Sequence, residues 1–151
     1  MPRKVMVGTA AWTIPAPHAH AFPTEGSHLE RYSGRFPAVE INSSFYRPHR
    51  PDTYRRWAST VPDHFRFAVK IPKEITHLRR LAEVEEPLER FLSEAGALGE
   101  KLGPLLLQVP PFDEQRVAAF LRRLRGRTNA DVACEPRHRS WTPPGTLPVC
   151  G

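Results

Sequence analysis

The stretch Pro37–Arg50, "PAVEINSSFYRPHR", decides how the chain folds, because a short apolar run gives way at once to a dense polar cluster. "PAVEIN" is too short and too β-branched for a helix and reads as a strand. The residues that follow offer an amide, two hydroxyls, a phenol and two guanidiniums where that strand ends. Polar side chains there can satisfy the last backbone groups locally, the plainer account of Asn42 and Ser43. They can also line the mouth of a pocket.

The same grammar recurs along the chain. "KVMVGTA" (Lys4 to Ala10), "FRFAVKIP" up to Pro72, "GPLLLQVPP" and "ADVACEPRHRSW" read as four further strands. The third is a continuous apolar run and predicts a strand covered on both faces. Between the strands lie helical patterns. "SHLERYSGRF" offers Ser27 as N-cap and Leu29, Tyr32 and Phe36 on one face. "RPDTYRRWAST" places Pro51 at the first helical position and Asp52 in the first turn. Residues 87–101 carry Leu88, Phe91, Leu92, Ala95 and Leu98 at helical spacing. "DEQRVAAFLRRLRGR" aligns Val117, Phe120, Leu121 and Leu124 before Gly126.

Five strands alternating with four helices predict a parallel α/β sheet. A doubly wound sheet would put a glycine-rich phosphate loop after its first strand, and "GTAAWTIP" has neither GxGxxG nor GKS/GKT. A TIM-type (β/α)8 barrel instead gathers all strand ends at one mouth, and every strand here ends in polar residues: Thr9, Glu40 with Asn42, Lys70, Gln108, and Glu135 with Arg137 and His138. The barrel is preferred, although 151 residues supply only about five of its eight units.

Composition narrows the class. The net charge of +6 comes with 18 arginines among 22 basic residues scattered along the chain, a compositional bias more than a binding stripe. "RRLRGR" from Arg122 is accounted for by cations near a helix C-terminus, so a nucleic-acid partner is disfavoured. Two cysteines without CxxC spacing or a secretory signal predict a cytoplasmic protein with no disulfide framework. No apolar run approaches the ~20 residues of a spanning helix. The "HAH" at His18 and His20 sits in a proline-rich loop without further ligands at suitable spacing; no zinc site is expected there, and no cofactor is indicated.

Five blocks taken together, "GTAAW", "VEINSSFYR", "FRFAVKIPKEITH", "LGPLLLQVPP" and "EPRHRSW", resemble in order and spacing the YecE-like family, domain of unknown function 72. The resemblance covers roughly residues 5 to 141 and implies a TIM-type barrel whose biochemical activity is not established. Family members usually have glycine where this chain has Ala11. They also continue for three further β/α units, so residues 1–141 are expected to be the N-terminal portion of one barrel domain and 142–151 a non-matching Pro/Gly-rich tail. A C-terminally truncated, inactive member is one expectation. A half-barrel that needs a completing polypeptide, or self-associates through open sheet edges, is another.

On the barrel face that carries active sites, Glu40 and Glu135 are candidate acid, base or metal-holding carboxylates, and Lys70 a candidate base, nucleophile or anion clamp. The plainer account pairs the carboxylates with Arg47 or Arg137, and Lys70 with Glu40. Trp12, Asn42, Ser43, Tyr46, His77, Gln108, Arg137, His138 and Trp141 are the candidate substrate-binding residues. Arg forks an anion and Trp offers a stacking face, which suits a small anionic, ring-bearing ligand containing phosphate, sugar or nucleotide. Phe45 is expected in the core.

Overall fold

The computed structural model describes residues 4–109, 111 and 113–141; the 142–151 tail lies outside them. Five parallel strands, β1 (Gly8–Ala10), β2 (Ala38–Ile41), β3 (Arg66–Lys70), β4 (Leu102–Val109) and β5 (Val132–Pro136), form one sheet in sequential order. That order rejects the doubly wound alternative, whose strand order reverses at a switch point. The α-helices α1 (His28–Ser33), α2 (Pro51–Ser59), α3 (Glu85–Ala95) and α4 (Glu114–Arg125) fill the crossovers.

Burial alternates along the strands as period 2 requires. Val39 and Ile41, Phe67 and Val69, then Leu105, Leu107 and Val109 are buried and meet the helices. From the helices come Tyr54 on α2, Leu88 and Phe91 on α3, and Phe120 and Leu124 on α4, each at most 2% exposed. The other face carries Ala38 and Glu40, Ala68 and Lys70, Leu106 and Gln108. Most of these are half-buried; no helix among the described residues covers them, so the sheet is an open half of a barrel-like wall. β4 is therefore covered on one face only, contrary to the reading of its continuous apolar run.

Helix starts follow the expected chemistry. Ser27 caps α1 in a full capping box with Glu30, and Pro51 opens α2. Two elements differ from expectation. The predicted strand Lys4–Ala10 shortens to three residues, because among the described residues β1 pairs only with β2 and leaves Val5 and Val7 83% and 63% exposed. The helix expected over 87–101 ends at Ala95; a 3-10 segment, Gly96–Lys101, follows, with Gly99 at φ +61°. Gly96 and Gly99 remove the helical preference there.

Candidate functional site

Near the ends of β2, β3 and β5, Glu40, Lys70 and Glu135 lie on the uncovered face. Register steps them along the sheet: Glu40 is level with Ala10 and Ala68, Lys70 with Leu106, and Glu135 with Gln108. Beyond the strand ends, Ser43–Phe45 form a short 3-10 turn that swings Asn42 and Tyr46 to the same side. The result is a cleft of about 520 Å³ lined by Ala10, Glu40, Asn42, Tyr46, Lys70, Leu106, Glu135 and Arg137. All three candidate catalytic residues and three of the candidate binding residues meet there.

Electrostatics differ across the cleft. Burial pushes the Glu40 carboxyl above its ordinary pKa; the Lys70 ammonium and, more weakly, Arg137 pull it down, while Glu135 pushes it further up. Glu135 is held by the Arg137 guanidinium in an ion pair. The two carboxylates thus occupy unlike environments, the condition under which such a pair can divide proton donation from charge stabilisation.

Lys70 is 5% exposed, and its ammonium lies 4.3 Å from the centroid of the Phe45 ring. It makes no ion pair among the described residues, so the contact pair expected with Glu40 is replaced by a cation–π contact and a through-space attraction. This corrects the placing of Phe45 in the core: the ring is half-buried beside the strand end, against the Lys70 ammonium. The turn that holds it is pinned by Ser44, whose buried hydroxyl lies 2.6 Å from the Lys70 carbonyl and 3.1 Å from that of Ile41.

Other candidates fare unevenly. His77 stands on a one-turn π-helix, Glu74–Leu78, edge-on to Phe45 at 5.4 Å, with Nδ1 2.7 Å from the Thr76 hydroxyl. Burial, then the Lys70 charge, holds its pKa below the ordinary value, so it stands behind Phe45, outside the cleft lining, as a neutral imidazole near neutrality. Ser43 turns away from the cleft to hydrogen-bond His49 Nε2 at 2.7 Å. Gln108 stands opposite Glu135 on β4, half-buried but outside the cleft lining. Trp12 does not form a second wall; its ring packs edge-on against Trp57 at 5.1 Å, drawn by the apolar surface of α2. His138 bonds locally to the Ser140 hydroxyl at 2.8 Å, and Trp141 packs half-buried in the 3-10 turn Arg139–Trp141. Neither reaches the cleft.

Sequence reasoning passed over His49 and placed Phe45 in the core. A ring directly after the polar run at the end of β2 was the available signal for Phe45. Among the described residues no group of three or more His, Cys, Asp or Glu side chains is placed to hold a metal, and no helix is long and apolar enough to cross a membrane. A larger hollow of about 720 Å³ opens toward the N-terminal ends of the strands, over Gly8, Ala38, Ala68 and Gly103. Lys4, Arg66 and Asp131 also line it, but it opens at the strand N-termini, the face that serves stability in barrels, so the charged C-terminal strand ends remain the better candidate.

Comparison with known proteins agrees with this architecture. A family model described as protein of unknown function DUF72 matches residues 6–150. The UPF0759 protein YecE of Escherichia coli K12 is 33% identical over 114 residues, covering 73% of this chain and 41% of the relative. The UPF0759 protein YunF of Bacillus subtilis is 29% identical, with 93% and 53% covered. Crystal structures of DUF72 family proteins from Enterococcus faecalis and Thermotoga maritima superpose with TM-scores of 0.73 and 0.70, each at 26% identity. They cover 92% and 93% of this chain, which in turn covers 53% and 58% of theirs. The chain spans about half the length of the curated relatives it matches.

Proposed function

Because the chain belongs to the DUF72 family of YecE-like proteins, we propose that its strand-end cleft binds a small anionic molecule, one containing phosphate, sugar or nucleotide. Lys70 and Arg137 attract the anion, Asn42 and Tyr46 orient it, and Glu40 holds or releases a proton beside it. The observation that carries this reading is Glu40 itself, a partly desolvated carboxyl facing Lys70 on the face where barrel enzymes keep their chemistry. A protein that only bound its ligand would use Lys70 and Arg137 alone. One that transformed it would also require Glu40.

The test is calorimetric titration with inorganic phosphate and simple sugar phosphates, on the wild type and on Lys70→Met, Arg137→Met and Glu40→Gln. Saturable binding weakened about tenfold by each cation replacement supports the reading. Absence of binding, or binding indifferent to both cations, overturns it. Glu40→Gln separates the two roles by leaving binding in place and abolishing turnover.

A second reading rests on the sheet edges. Among the described residues β1 pairs only with β2 and β5 only with β4, and the uncovered face lies between them. On this reading the unit is completed by further β/α units, carried by the same or a separate polypeptide. A companion that co-purifies and protects β1 and β5 amides from exchange supports it; unprotected edges in the purified assembly count against it.

A further inference from the structure

Beside the cleft, behind the Phe45 and Tyr46 rings, lies a second hollow of about 300 Å³, a volume at the lower end for small-molecule sites. Its walls come from the turn after β2, the turn after β3 and the side of α3. All three are internal to the half-barrel, so this hollow needs no further β/α unit to give it shape.

Glu74 and Arg90 in its wall are paired, but three other charges are uncommitted. The Glu94 carboxylate, half-buried on α3, makes no hydrogen bond or ion pair among the described residues. Arg90, one turn before it, is turned to Glu74 at 3.0 Å. Burial raises the Glu94 pKa, with Arg90 opposing. Among the described residues the Arg47 guanidinium makes no ion pair either, and the Lys73 ammonium lies 5.6 Å from the Tyr46 ring without a carboxylate partner. Phe45 and Phe91 supply apolar wall. A simple anion would meet Glu94, and a simple cation would meet Arg47 and Lys73. A molecule carrying both charges on an apolar body meets neither objection.

We infer that this hollow binds a free α-amino acid with an aromatic or branched apolar side chain. Its ammonium faces Glu94, its carboxylate faces Arg47 and Lys73, and its side chain lies on Phe45 and Phe91. The inference is independent of the proposal for the cleft. A ligand of this size at ordinary efficiency per atom reaches a Kd of about 1 mM.

The probes are L-phenylalanine, 3-phenylpropionate, which lacks the ammonium, and phenethylamine, which lacks the carboxylate, each titrated into isotope-labelled protein by NMR. Saturable shifts at residues 45–48, 73–78 and 90–94, with L-phenylalanine bound about tenfold more tightly than either half-molecule, are expected. Glu94→Gln should erase the preference over 3-phenylpropionate, and Lys73→Met should reduce that over phenethylamine. Both sites are on the surface, and an unchanged amide spectrum verifies their folding. Glu40→Gln in the neighbouring cleft should leave these shifts alone. Equal binding of all three probes, no saturation, or shifts centred on Glu40 and Lys70 would overturn the inference.

Discussion

Ala11 shows how much a single methyl group can cost. It follows β1 at φ +63°, in the left-handed region that favours glycine, and its amide bonds the Glu40 carbonyl at 2.9 Å. Ala11→Gly should therefore stabilise the fold by about 0.5–1 kcal/mol, read from urea midpoints at constant slope. Glu40 gives a second residue-scale outcome. Its folded pKa is raised, so folding takes up a proton that the unfolded chain holds less tightly. The associated stability is present below the ordinary value of about 4.5 and is lost as pH rises through the raised one. Glu40→Gln should accordingly be more stable than wild type at neutral pH, with the gap closing in acid. A gap that widens in acid would contradict the assignment.

Among the elements, β1 depends on α1 through one phenol. The Tyr32 hydroxyl accepts from the Thr9 amide at 2.8 Å and donates to the Ala38 carbonyl at 2.9 Å, joining the helix to two strands. Tyr32→Phe leaves the Thr9 amide unsatisfied and should cost about 1–3 kcal/mol, with amide exchange accelerated first in β1. Gly8 explains why this strand tolerates no bulk: a Cβ there would run into the Ala38 carbonyl. α3 shows where periodicity misleads. Its apolar spacing continues to Leu98, which is buried, yet the backbone leaves the α-helix at Ala95 because two glycines lower the cost of doing so. Apolar spacing reports burial and only indirectly reports the backbone that achieves it.

At the scale of the molecule, the covered and uncovered faces of the sheet are unequal. The covered face carries the core; the other carries the cleft and is flanked by the β1 and β5 edges, which pair with no further strand among the described residues, with Val5 and Val7 exposed beside β1. Such edges pair with other chains unless charge or cover prevents it. Sedimentation velocity should show association of the isolated half-barrel that grows with concentration, and Val7→Lys should suppress it. Association unchanged by that substitution would place the contact elsewhere.

The order of elements, the helix faces and the gathering of Glu40, Lys70 and Glu135 were all legible in the residues, because strand period, helix period and polar strand ends are local patterns. So was the family, through five spaced blocks. What the tertiary structure alone decided is which of those polar residues share a cleft. Trp12 and Ser43 were drawn to Trp57 and His49, partners distant in pattern though close in space. Lys70 took an aromatic ring in place of a carboxylate, because the turn after β2 folds Phe45 back over the strand end. Local spacing specifies which face a side chain takes; which neighbour it meets there depends on how separate segments pack, and only the folded chain determines that.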